Sequence, residues 1–147
     1  MDSKLNSATV LSIFKRKGSE GLYTRVISSN NKHDIDFIRP FLNDNEEGLI
    51  IFLKDNLNWT ILTNDRIISA NKGFEIVIKI ADIVDVDMAL KEEFLHGVRD
   101  KNLFTRVAII DINKAAKIIK FEAGLPYYGF VQVLHFLSRR NRDSLNL

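Results

Sequence analysis

The chain has 147 residues, 46% of them hydrophobic and 27% charged, the size and balance of one soluble globular domain with a core of its own. It has no cysteine, which excludes disulfides, thiolate metal sites and a cysteine nucleophile. The net charge of +2 divides into +4 over residues 1–32, −6 over 33–111 and +4 over 112–147, which argues against a nucleic-acid partner, for which one basic face should dominate.

Met1-Asp2-Ser3-Lys4 opens no long apolar run, and the longest apolar stretch, Leu49–Leu53, is too short to cross a bilayer; the expected location is the cytoplasm. A short helix is expected next, capped by Ser7, with Val10, Leu11 and Phe14 on one side and Lys15-Arg16-Lys17 before Gly18. It suits either an acidic membrane surface or packing on its own domain. Leu22–Ile27 reads equally as strand or helical turn. A second helix is expected from about Asp34 to Leu42, with Ile35, Ile38, Phe41 and Leu42 on one face and Pro40 kinking it.

From Leu49 the hydrophobic period drops from near four to two. Leu49–Lys54, Trp59–Thr63, Arg66–Ala70, Phe74–Ile80, Ile83–Asp87, Leu103–Ile112 and Ala115–Glu122 read as seven strands. In the fourth, Phe74, Ile76, Ile78 and Ile80 should point inward. Asn71-Lys72-Gly73 suits a turn with positive φ. Met88–Lys101 is a charged excursion, helix or loop. The last element, Gly124–Asn141, is an amphipathic helix with Pro126 in its first turn, Phe130, Val133, Leu134 and Leu137 as its stripe, and Arg139, Arg140 and Arg142 at its end. No repeat or linker divides the chain, so one domain over 1–147 is expected.

Seven antiparallel strands followed by a closing helix resemble the pleckstrin-homology layout. The stretch Trp59-Thr60-Ile61-Leu62-Thr63-Asn64-Asp65-Arg66-Ile67-Ile68, preceded by an acidic turn and followed by Ile78–Val86, is similar to the Leu-Thr-Asn-x-Arg hairpin of bacterial pleckstrin-homology-like domains. The resemblance covers residues 34–142 and leaves 1–33 as an N-terminal extension. It implies an α+β fold, a seven-stranded antiparallel sandwich or barrel closed by the C-terminal helix, with one or two extra N-terminal helices. The closing helix lacks the tryptophan of many relatives, so Phe130 or Phe136 should fill that place. The first hairpin, Lys54–Asn58, offers one lysine beside an aspartate, which argues against phosphoinositide binding.

The candidate chemistry is sparse. His33, His96 and His135 lack helical metal-pair spacing, and Asp82, Asp85 and Asp87 lack the glycine turn and distal glutamate of a calcium loop, so no metal or other cofactor is expected. No Gly-rich phosphate loop or nucleophile elbow occurs, so no catalytic residue is named and no enzyme is expected. Asp85 and Asp87 share one face of a strand and suit a basic partner, and Glu92-Glu93-Phe94-Leu95 sets two apolar residues beside two acids. These six residues are the expected partner-binding set. The leading expectation is a non-enzymatic protein-binding module. The alternatives are a small immunity protein that neutralises a toxin domain, and peripheral membrane binding through the basic N-terminal helix.

Overall fold

The computed structural model describes residues 6–28, 31 and 35–146. Among them are three α-helices and eight strands: α1 (Ser7–Lys17), β1 (Thr24–Val26), β2 (Gly48–Asp55), β3 (Asn58–Thr63), β4 (Arg66–Asn71), β5 (Phe74–Lys79), β6 (Ile83–Met88), α2 (Leu90–Leu95), β7 (Arg106–Asp111), β8 (Ala116–Lys120) and α3 (Leu125–Leu145). Strands β1–β5 form one antiparallel sheet in sequence order, and β6–β8 form a second. The architecture is α+β, but the seven strands expected are eight, and the two sheets are not joined into a closed barrel. The eighth is β1, short enough that its alternation was ambiguous in the sequence.

Local chemistry explains the hairpins. In the β2–β3 turn the Asp55 carboxylate accepts the Leu57 amide and the Asn58 side-chain amide, both at 2.9 Å. The β4–β5 connection is two residues, Lys72 at φ 53° and Gly73 at φ 86°, the backbone that a tight right-twisted hairpin requires.

The main core lies between the sheets and the helices. Ile50, Leu62, Ile67 and Ile78 of the larger sheet meet Val86, Val107, Ile109 and Ile119 of the smaller one, and α3 adds Phe130, Val133, Leu134 and Leu137. Phe130 is fully buried, stacked on Phe121 at 4.3 Å and edge-on to Phe14 at 5.4 Å. Helix α1 belongs to this core: Val10 and Phe14 are buried in it, while Lys15, Arg16 and Lys17 face solvent. Its cap is Asn6, whose side chain accepts the Thr9 amide at 3.2 Å, one residue before the expected Ser7. α3 is fixed to the second sheet by Asn141, which donates to the carbonyls of Ile80 (2.7 Å) and Ile83 (2.8 Å).

The opposite face of the larger sheet carries a second cluster, Trp59, Ile61, Ile68 and Ala70, covered by Ile35 and Ile38. The expected helix over 34–42 is absent there. Asp34 lies outside the described residues, and those from 35 to 42 form successive tight turns, among them the 3-10 turn Arg39–Phe41, with a bend at Leu42. Pro40 has no N–H to continue a helix. The segment is held by side chains instead. Glu46 accepts Arg66 Nε (2.9 Å), Arg66 Nη2 (2.6 Å) and Thr63 Oγ1 (2.6 Å), and Arg66 also donates to the Phe41 carbonyl (2.8 Å). Thr63 Oγ1 in turn accepts the amides of Asp65 and Arg66, and Asn64 Oδ1 accepts the Glu47 amide. The Thr-Asn-x-Arg hairpin is thus the clamp for the segment that covers Trp59. Phe74 is a further correction: expected inward, it is 80% exposed because it sits at the hairpin tip, past the edge of the core.

Candidate binding surface

The surface is built where β6 runs into α2. Along β6, Val86 faces the core, while Asp85 and Asp87 alternate outward and are exposed. Each aspartate accepts the amide of the residue after it, Val86 at 2.9 Å and Met88 at 3.1 Å, which steadies the carboxylates without hiding them. Arg142 of α3 approaches Asp85 at 3.4 Å from an exposed position, a contact of little strength.

Helix α2 turns the next residues in two directions. Glu93 is fully buried: Oε2 accepts the amides of Thr105 (2.7 Å) and Arg106 (2.8 Å), and Oε1 accepts Arg106 Nη1 (2.7 Å). Three acceptor directions are spent inside the fold and the side chain is fully buried, so Glu93 faces β7 and not a partner. Its neighbour Glu92 is half-buried. Leu90, Phe94 and Leu95 point the other way and are 45%, 45% and 74% exposed. Leu90 and Phe94 stand four apart on one helix face, and the Arg99 guanidinium lies 5.5 Å over the Phe94 ring. Leu103, 59% exposed, comes from the following turn. Phe94 and Leu95 therefore do not anchor this segment; Glu93 does.

The scaffold beneath is stiff. The Arg106 carbonyl accepts the Tyr127 hydroxyl at 2.8 Å and the Ala89 amide at 3.3 Å, joining α2, β7 and α3 at one residue. Burial, and then the Glu93 charge, push the Tyr127 hydroxyl well above the usual phenol range, so it stays a donor. The sequence showed no sign that Leu90 and Leu103 would join Phe94 and Leu95 at the surface, since leucine beside a short helix reads as core.

No family model, curated protein or solved structure matches the chain. The remaining sequence candidates fall apart in space or stay unremarkable. His33 lies outside the described residues; His96 sits against the Glu92 carbonyl at 2.8 Å, and His135 is half-buried on α3. Among the described residues, no three His, Cys, Asp or Glu side chains are grouped to hold a metal ion. Nor is any helix among them long and apolar enough to cross a membrane.

Proposed function

We propose that the chain is a non-enzymatic protein-binding module of the pleckstrin-homology-like type, and that it engages its partner through the β6–α2 surface. The order of elements supports the family reading. Four consecutive hairpin-linked strands (β2–β5) precede a three-stranded sheet (β6–β8) and a terminal helix whose Phe130 sits at the centre of the core. Strand β1 and helix α1 are additions to that plan.

The observation that carries the binding reading is the division within α2. A buried charged pair fixes the helix in place, while Phe94 and Leu95 are held out in water, with the Arg99 guanidinium over the Phe94 ring. Exposed aromatic and aliphatic side chains on a rigid support, bordered by charge, have the make-up of an interface. Loops that carry binding residues on a fixed sheet follow the same logic.

The test is purification of the tagged chain from its native host. A protein partner should co-purify in stoichiometric amount and be lost from a Phe94→Asp, Leu95→Asp variant whose circular dichroism is unchanged. No stoichiometric partner, or equal recovery with the variant, refutes the proposal.

A further inference from the structure

The outer face of the second sheet departs from what a solvated face should be. An antiparallel sheet with one face on the core normally turns polar residues to water. Here the register across β6, β7 and β8 sets Asp85 beside Ile110 and Ala116, and Asp87 beside Ala108 and Ile118, with Arg106 beside Lys120 in the next row. The alternate residues Val86, Val107, Ile109 and Ile119 fill the core, so these rows face away from it. Ala116 is exposed, and Ala108, Ile110 and Ile118 are half-buried yet belong to neither hydrophobic cluster of the described residues. Ile110 and Ile118 are diagonal cross-strand neighbours and shield each other in part. The result is an apolar lane two strands wide, bordered along β6 by two exposed carboxylates.

The border decides what should cover the lane. An apolar centre with a charged rim binds a segment that matches both, and carboxylates in fixed positions select cations and reject acids. The Arg106 charge at the end of the lane is met by Glu93 at 2.7 Å, with Lys120 beside it, and Arg142 reaches Asp85 only at 3.4 Å from an exposed position, so Asp87 carries the acidic edge most fully. α2 is tied to that same end through the Glu93–Arg106 pair.

We infer that the outer face of β6–β8 docks an amphipathic segment of a partner protein that lays aliphatic side chains along Ala108, Ile110 and Ile118 and sets Lys or Arg against Asp85 and Asp87. This inference rests on the protein-binding reading above and names the chemistry of the partner.

Two labelled 18-residue helical peptides test it by fluorescence anisotropy, one of leucine and lysine, the other with glutamate in place of lysine. The chain should bind the lysine peptide, more weakly as salt rises, and bind the glutamate peptide at least tenfold less well. Asp85→Asn with Asp87→Asn should weaken the lysine peptide at least threefold, and Ile118→Asp at least tenfold. Both variants should also lose the partner captured from the host. Should Ile118→Asp not fold, the aspartate pair, exposed and outside the core, decides alone. Equal binding of both peptides, or unchanged binding by the variants, overturns the inference. So does sedimentation showing a wild-type dimer that Ile118→Asp dissociates, which would assign the face to a second copy. A host partner retained by the face variants but lost from the Phe94→Asp, Leu95→Asp variant would overturn this inference and leave the protein-binding reading standing.

Discussion

Glu93 holds helix α2, and Glu46 a piece of irregular chain, against a strand, and each is paired with an arginine. Glu93 is fully buried and Arg106 is 12% exposed, so removing the carboxylate strands a cation and two amides away from water. Glu93→Ala should destabilise the fold by about 3–5 kcal/mol, the usual cost of breaking a buried pair, measured by urea unfolding. A change below about 1 kcal/mol would mean that water satisfies these groups. For Glu46, burial pushes the carboxyl up, but hydrogen bonds from Arg66, Thr63 and the Asn43 amide, with the Arg66 charge, outweigh it and hold the group below the ordinary carboxylate value. A depressed folded value means the clamp is complete above about pH 4.3, where an unfolded glutamate titrates, and is lost as pH falls through the folded value. Trp59, the only tryptophan, lies under the clamped segment with Phe37 at 6.2 Å and Phe41 at 5.5 Å. Its emission should therefore shift to the red on acidification below that range, and Glu46→Gln should abolish the pH dependence while making the shift permanent. Emission unmoved by Glu46→Gln would show that the clamp does not hold the cover.

Among the elements, α1 and α3 meet through glycine. A methyl group at Gly18 would lie 2.5 Å from both the Gly129 Cα and the Leu125 carbonyl oxygen, backbone atoms that cannot yield. Gly18→Ala should cost about 1–3 kcal/mol by forcing the helices apart, and the thermal midpoint reads it. An unchanged midpoint would show that α1 shifts at no cost. This contact also marks the limit of what periodicity conveys. The apolar face of α1 was legible from Val10 and Phe14, but its destination on α3 was not, because nothing local names a partner surface as far along the chain as Gly129. α3 itself was legible nearly end to end, since its stripe is long and Pro126 marks its start. The segment over 35–42 was not: it has helical spacing, but Pro40 and the pull of Arg66 on the Phe41 carbonyl set a different backbone. Glu92 and Glu93 were indistinguishable in sequence, and only Arg106, 13 positions on, decides which one turns inward.

At the scale of the molecule, the change from helical to alternating rhythm at Leu49 corresponds to the start of the β2–β5 hairpins and of the second sheet that follows them, and the terminal helix does pack on both sheets. Alternation also placed Asp85 and Asp87 on one face. It was silent on the division into two separate sheets, on β1, and on the apolar outer face of β7 and β8, whose isoleucines read as core on either side of a strand. β1 is held from a distance: the Glu122 carboxylate accepts the amides of Leu22 (2.7 Å) and Tyr23 (2.9 Å) and the Thr24 hydroxyl (2.7 Å). Glu122→Ala should release this edge strand, raising amide exchange at Tyr23–Val26 well before global unfolding; exchange there as slow as in wild type would contradict that role.

We propose above all that the β6–α2 surface is where the molecule meets another protein. Hydrogen exchange on the chain, alone and with the partner recovered from the native host, tests it most directly. Slowed exchange is expected at α2 and the loop over 96–103, with α1 and the hairpin tips at Leu57 and Phe74 unchanged. Protection confined to α1 or to those tips, with α2 exchanging as before, would contradict it.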